Sequence, residues 1–198
     1  MGDVQYRENH IMNRLITFAV LLLATISVAA EVHPISIARP TQFQEDLIVP
    51  GYNTANGPMT TLSICYRYKH KRRIVGESTD MQPSFVSVAF DSGWLELRTE
   101  NDVIAHIPFP AEQEGYNLTD YDGTTDFAGP SGFKFRSVRN GHGIVYISDP
   151  AIVARFKDVP TVAITAQGYD LFSASGAGNL DMISKSKIVV IGEVVYFN

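Results

Sequence analysis

The sequence predicts an all-β protein, an antiparallel two-sheet β-sandwich with one short helical segment. Apolar residues alternate with polar ones in many stretches after Pro34, and this period of two indicates half-buried antiparallel strands. Turn-forming residues separate the stretches at roughly the spacing found in sandwiches: Asn56-Gly57-Pro58, Asp91-Ser92-Gly93, Asn140-Gly141 and residues 176–179. No sequence repeat indicates a propeller or a solenoid. A jelly roll is one form that the predicted sandwich could take.

Strands are predicted where the alternation coincides with β-branched and aromatic residues. In chain order they cover residues 43–49, 62–68, 85–90, 94–98, 103–107, 133–138, 143–147, 162–166 and 188–197. The order of these strands within the sheets does not follow from one sequence.

One segment departs from the alternation. Asp149 is a good N-cap residue, and Pro150 suits the first position of a helix. Ile152, Val153 and Phe156 would then share one helical face. We predict one or two helical turns here, with a strand over residues 152–156 as the alternative.

The amino-terminal segment has the features of a secretory signal peptide. Arg14 precedes the apolar run 15–26, and the small residues 27–30 follow it, in the order that export signals show. A membrane-spanning helix needs about 20 apolar residues, more than residues 15–30 provide. We therefore expect residues 1–30 to be removed and residues 31–198 to form a single secreted β-sandwich domain with no membrane span.

Residues 1–11 are unusual ahead of such a signal, because they are long and mixed in charge. Met12 is a better start, so we interpret the first eleven residues as a start-site artefact.

Charge and cysteine content exclude some classes of protein. The formal net charge is -5 and the pI is near 5.5, whereas a generic nucleic-acid binder has a net basic footprint. We expect no nucleic-acid partner. Cys65 is the single cysteine, which excludes an intramolecular disulfide, and its strand-like surroundings indicate a small buried side chain rather than a catalytic thiol.

An acidic loop is the candidate metal site. Asp120, Asp122 and Asp126 lie within seven residues, and Gly123 allows a sharp turn between them. Ca²⁺ prefers several oxygen ligands at once, so Ca²⁺ is the one cofactor that the sequence suggests. The spacing does not match an EF-hand, because the first and last ligand positions would hold Leu and Gly. The alternative is a solvated turn, since Asp and Gly are good turn formers.

Residues 66–73 form a basic cluster with five formal positive charges and interleaved tyrosines. Such a cluster could bind phosphate, an anionic polysaccharide or a nucleic-acid backbone. The acidic character of the whole domain favours a different interpretation, a charged hairpin or edge strand in which Lys and Arg discourage edge-to-edge pairing.

Catalytic and zinc motifs do not stand out. His33, His70, His106 and His142 lie far apart, without the spacing of a zinc site, and no GxSxG motif occurs. Paired carboxylates for glycoside hydrolysis arise in any acidic sandwich. We expect a protein that is not an enzyme.

Several stretches resemble the choice-of-anchor E domain. Residues 43–53 and 57–62 are similar to its opening phrase, and the sequence DGTTDFAGPSG at 122–132 is similar to its central signature. The turn GAGNL at 176–180 and the last strand are similar to its end. The resemblance covers roughly residues 40–197 and implies a secreted or surface-attached bacterial β-protein without an accepted active site. Members carry carboxy-terminal sorting tails, but this sequence ends directly after a strand, so we expect soluble export.

The function expected from these observations is a secreted, non-enzymatic β-sandwich with an extracellular structural or binding role. An extracellular glycan or matrix component is the expected partner. The alternative is a carbohydrate-binding module in which Trp94, Tyr116 or Tyr121 stacks on sugar rings. A hydrolase with a carboxylate site has less support.

Overall fold

The computed structural model describes residues 30–198. The predicted signal peptide falls almost entirely on residues 1–29 and lies outside the described residues. Two antiparallel sheets pack face to face, so the predicted all-β sandwich is confirmed. No helix among residues 30–198 has the length and apolar character needed to cross a membrane.

The described residues form nine strands and two short helical elements. The strands are β1 (Ala30–Pro40), β2 (Phe43–Pro50), β3 (Thr61–Ser78), β4 (Ser84–Thr99), β5 (Asp102–Phe109), β6 (Glu112–Leu118), β7 (Gly132–Ile147), β8 (Thr161–Ser175) and β9 (Leu180–Phe197). A single 3-10 turn covers Thr54–Asn56, and helix α1 covers Pro150–Ala154.

The sheet topology is that of a jelly roll. One sheet has the order β1-β9-β3-β7, and the other has the order β2-β8-β4-β5, with β6 paired to the first half of β4. When β6 is set aside, every connection crosses from one sheet to the other except the β4–β5 hairpin, which stays within the second sheet, as in two nested Greek keys. The long central strands β3 and β4 therefore face each other across the core.

The predicted helix is confirmed. The Oδ1 atom of Asp149 accepts hydrogen bonds from the N–H groups of Ala151 at 2.8 Å and Ile152 at 3.2 Å. Pro150 occupies the start of the helix and Val153 is buried. Asp149 thus satisfies backbone donors that the short helix leaves without partners.

The predicted turn at residues 91–93 is wrong. Strand β4 continues through it, and the register against β8 shifts between Phe90 and Ser92 as in a β-bulge. A Cβ atom on Gly93 would lie 2.7 Å from the Oδ1 atom of Asp170. The glycine therefore makes room for a buried carboxylate rather than turning the chain.

The predicted turn at Asn140-Gly141 is also wrong, since both residues lie inside β7. Gly141 faces Tyr68 and Gly143 faces Tyr66 on β3, and a Cβ atom on either glycine would collide with the tyrosine ring. An Asn-Gly pair usually marks a hairpin, but here the glycines let aromatic rings lie across an edge strand.

Two strands have no counterpart in the prediction. β1 contains Pro34, and only Ile35 and Ile37 are buried in it. β6 is a polar segment in which Leu118 is the one buried residue. Both depend on pairing with a neighbouring strand, which local sequence does not reveal.

The core consists of two apolar clusters. The larger includes Leu95 and Ile188, and the smaller includes Val86 and Phe135. Between them lies a layer of buried charged side chains, described below, so the interior is not continuous hydrocarbon.

Candidate functional site

The basic cluster of residues 66–73 lies in the middle of β3, which pairs with β9 on one side and with β7 on the other. The interpretation as a hairpin or edge strand is therefore wrong. Because side chains alternate across a strand, His70 and Arg72 point into the core, whereas Lys71 and Arg73 are exposed.

Strands β7 and β9 add further cations to the same side of the sheet. We call the exposed side of this four-stranded sheet the basic face, and define it by eight side chains. They are Arg67, Lys69, Lys71, Arg73, Lys134, Arg136, Lys185 and Lys187. All eight are exposed.

Like charges lie directly opposite one another on the basic face. Arg73 is in register with Lys185 on β9 and with Arg136 on β7, and Lys71 is in register with Lys187. Opposed side chains have Cβ atoms about 5 Å apart, and like charges there are destabilising. None of the eight cations forms an ion pair with another of residues 30–198.

The basic face stands out against an acidic domain. Residues 31–198 carry 14 Lys and Arg and 19 Asp and Glu. On the strands that form this face, the eight basic groups are accompanied by two exposed or half-buried carboxylates, those of Asp181 and Glu193. The rest of the domain holds six basic and 17 acidic groups, so positive potential is concentrated on one side.

An open depression of about 330 Å³ lies at one end of the basic face. We call it the basic depression. Its lining consists of Arg73, Val75, Asp126, Phe127, Ala128, Lys134, Ile183 and Lys185. The end of the acidic loop thus lines a recess together with three cations.

Buried Glu77 fixes this loop against the sheet. Its Oε2 atom accepts a hydrogen bond from the N–H of Phe127 at 2.8 Å, and its Oε1 atom accepts one from the Ser131 hydroxyl at 2.9 Å. Asp80, three residues later, accepts the N–H groups of Gly178 and Asn179. The end of β3 and the residues just after it therefore hold both the acidic loop and the turn at residues 176–180.

The three predicted calcium ligands are not brought together around a common centre. Asp122 accepts the N–H of Thr124 and Asp126 accepts the N–H of Ala128, each at 2.9 Å, so both cap their own turns. Asp120 is exposed. Among residues 30–198, no group of three or more His, Cys, Asp or Glu side chains is placed to hold a metal ion. Calcium binding by this loop stays a prediction.

A buried polar layer links the two sheets. Arg72 donates from Nη2 to Oδ1 of Asp170 at 2.9 Å and from Nε to Oδ2 at 3.2 Å. The Ser186 hydroxyl donates to Oδ2 at 2.7 Å, and Nε2 of His70 lies 3.0 Å from the same oxygen. Burial alone would raise the pKa of Asp170, but hydrogen bonds from His70, Ser186 and Arg72 hold it below its usual value.

The Ser186, His70 and Asp170 set is not a catalytic triad. A triad uses the two ring nitrogens of histidine separately, one toward the serine and one toward the carboxylate. Here Ser186 and Asp170 both approach Nε2, and the buried Nδ1 has no partner in the described chain. His70 is fully buried, so the layer is structural.

The three aromatic residues predicted to stack on sugars lie in different places. Trp94 is half-buried on the five-stranded sheet, with the Tyr169 ring centred 6.0 Å away. Tyr116 packs on Phe133 in the core, and burial raises the pKa of its hydroxyl. Tyr121 lies in the acidic loop and bonds Thr125. They form no common platform.

Cys65 is half-buried on the outer side of β3 rather than fully buried. Burial raises the pKa of its thiol, which opposes formation of a reactive thiolate.

Four residues of the basic face were missed by sequence reasoning. Lys134 and Arg136 lie two residues apart on β7, as Lys185 and Lys187 do on β9. This spacing in an alternating strand puts both cations on one side. The pattern was present in the sequence, but the adjacency of the three strands was not.

No protein-family model matches the chain, and no curated protein matches it. Solved structures give distant likenesses: dimeric latent PorU from Porphyromonas gingivalis (12% identity, TM-score 0.31), the infectious bursal disease virus VP2 subviral particle (13%, 0.22) and the Cry23Aa1–Cry37Aa1 binary complex (7%, 0.26). The alignments cover 84%, 86% and 92% of this chain but 13%, 37% and 84% of the other chains. Likenesses at this level carry no argument about function.

Proposed function

We propose that this domain is a secreted, non-enzymatic binding module whose ligand is an anionic polysaccharide of the extracellular matrix or cell surface. The observation that carries the proposal is the row of Lys185, Arg73 and Arg136 across three adjacent strands. Three like charges in register weaken the sheet. A bound polyanion would replace that repulsion with attraction.

The layout of the basic face favours an extended ligand. Along β3, the outward cations at positions 67, 69, 71 and 73 follow one another at about 7 Å, two residues of strand rise. A polymer with regularly repeated acidic groups could contact several of them at once. The acidic remainder of the domain would repel the same polymer, which directs it to this one face.

Immobilised dextran sulfate and neutral dextran provide the test. We expect the purified protein to bind dextran sulfate, with an affinity that falls as salt rises because exposed charges are screened. The double variant Lys71→Gln/Arg73→Gln should weaken binding at least tenfold. Its matched control is Arg39→Gln/Lys157→Gln, which removes the same charge away from the basic face and should change affinity less than twofold.

Three results would overturn the proposal. One is equal weakening by the two double variants, which would mean that net charge alone matters. Another is binding to neutral dextran as tight as to dextran sulfate, which would favour the carbohydrate-binding module with stacking aromatic residues. The last is tight binding to duplex DNA with none to dextran sulfate.

A further inference from the structure

We infer that the basic depression binds one hexuronate residue of such a polysaccharide, an inference that rests on the proposed function. A volume of about 330 Å³ is at the small end of the range for small-molecule sites, about 300–1,000 Å³. The depression therefore suits one sugar unit of a chain that continues along the basic face.

Three cations surround the position where the acid group would lie. Arg73 and Lys185 are directly opposed across β3 and β9, and Lys134 lies one row away on β7. Arg73 can hold a carboxylate with two parallel hydrogen bonds, and the lysines supply compact charges beside it.

Asp126 distinguishes a sugar acid from a bare anion. One of its carboxylate oxygens accepts the Ala128 N–H at 2.9 Å, and the other has no hydrogen-bond partner within residues 30–198. A carboxylate repels sulfate or phosphate but accepts hydrogen bonds from hydroxyl groups. A uronate carries several hydroxyls beside its single charge, so it can satisfy the cations and Asp126 together.

The remaining lining is apolar. Val75 and Ile183 are opposed in the sheet, and Phe127 forms part of the wall. Ile183 is 44% exposed. The C–H face of a sugar ring could cover these groups, whereas a small inorganic anion would leave them in water.

The wall is held in place by the protein itself. Phe127 has a φ of 57°, a left-handed conformation that is costly for a bulky residue. Its N–H is bound by Glu77, which is fully buried. A strained residue fixed by a buried carboxylate is a preorganised wall, and preorganisation lowers the entropic cost of binding.

Calorimetric titration with trigalacturonate tests the inference, with maltotriose and sodium sulfate as comparison ligands. We expect binding of trigalacturonate and none of the other two at the same concentration. Asp126→Asn should weaken trigalacturonate at least fivefold while leaving dextran sulfate binding equal or stronger, because it removes a negative charge. Asp122→Asn, in the same loop but outside the lining, is the matched control and should change neither affinity.

A second pair of variants tests the apolar part of the lining. Ile183→Ser should weaken trigalacturonate, whereas Val138→Ser, exposed on the same sheet away from the depression, should not. Melting curves of all variants establish that they fold.

The outcomes separate the two proposals. If the protein binds dextran sulfate but not trigalacturonate, the uronate site is overturned and the proposed function stands. The same holds if trigalacturonate binds but the Asp126 and Ile183 variants do not change its affinity. Equal binding of sulfate also overturns the uronate site. Failure to bind both dextran sulfate and trigalacturonate overturns the proposed function itself.

Discussion

At the scale of single residues, Asp170 connects the two sheets. It lies on β8 of one sheet and binds Arg72, His70 and Ser186 of the other. The guanidinium of Arg72 is centred 4.7 Å above the Phe90 ring and 5.9 Å from the Phe109 ring, so each apolar cluster contributes an aromatic side chain to the charged layer. The layer fixes how the two sheets are placed.

Asp170→Asn should destabilise the protein by about 3 kcal/mol, because it leaves Arg72 buried without its counter-charge. Since the folded pKa of Asp170 lies below the usual value for an aspartate, about 3.9, its contribution to stability is complete above that usual pKa. It is lost as the pH falls through the folded pKa. Urea unfolding should be measured between pH 2 and pH 7, roughly the range that brackets this transition. The free energy of unfolding should fall less at low pH in the variant than in the unmodified protein. Asp181→Asn, at an exposed site, should behave like the unmodified protein.

Gly93→Ala should also loosen this layer. The new Cβ atom would lie 2.7 Å from Oδ1 of Asp170 and 2.9 Å from the carbonyl oxygen of Tyr169, and overpacking of this kind costs about 1–3 kcal/mol. Denaturant midpoints measure the loss. At Gly178, the nearest atom to a new Cβ would be Oδ1 of Asp80 at 3.2 Å, a less severe approach than those at Gly93, so Gly178→Ala should cost less. Equal losses would contradict the explanation given for Gly93.

At the scale of elements, the end of β3 organises the loops beside it. Glu77 holds the acidic loop, and Asp80 holds the turn between β8 and β9. The sequence does not indicate a role for either carboxylate. A lone Glu at the end of a strand, such as Glu77, normally points into water. Glu77 is buried because the acidic loop folds back over the sheet.

Glu77→Ala should destabilise the protein by about 3 kcal/mol, since it leaves the Phe127 N–H and the Ser131 hydroxyl without their acceptor. Hydrogen exchange at the Phe127 amide should speed up more than exchange at amides in the middle of β3. Glu77→Gln keeps one acceptor oxygen and should lose less. Unchanged exchange at Phe127 would show that the loop is held by other contacts.

The elements also show where local patterns mislead. The alternation predicts the core of most strands, because burying one face of a sheet requires it. The breaks at residues 91–93 and 140–141 look like turns, yet the glycines there serve a buried carboxylate and a tyrosine ring on neighbouring strands. Such partners are distant in the chain, so no local pattern contains them.

At the scale of the whole molecule, the export prediction concerns residues outside the described range. We expect secreted protein to begin at Ala30 or Glu31, because small residues precede both cleavage points. Intact-mass measurement of the secreted material decides it. Recovery of the full-length chain in the cytosol or in a membrane would exclude the signal-peptide interpretation.

The calcium prediction is also tested on the whole molecule. A site that bound calcium only in the folded state would raise the melting temperature by mass action. Because Asp122 and Asp126 cap their own turns, we expect melting curves in millimolar calcium and in chelator to coincide. A calcium-dependent rise that disappears in Asp122→Asn/Asp126→Asn would instead establish the site.

The sequence alone determined the fold class, the short helix and the basic cluster of residues 66–73, because each depends on local alternation, capping or charge. Only the tertiary structure decided that β3 is a central strand and that β7 and β9 place Arg136 and Lys185 opposite Arg73. It also brought Asp126 of the acidic loop into the same depression as Arg73. These juxtapositions depend on strand order, which is set by packing across the whole chain. Local patterns along the sequence do not contain the strand order.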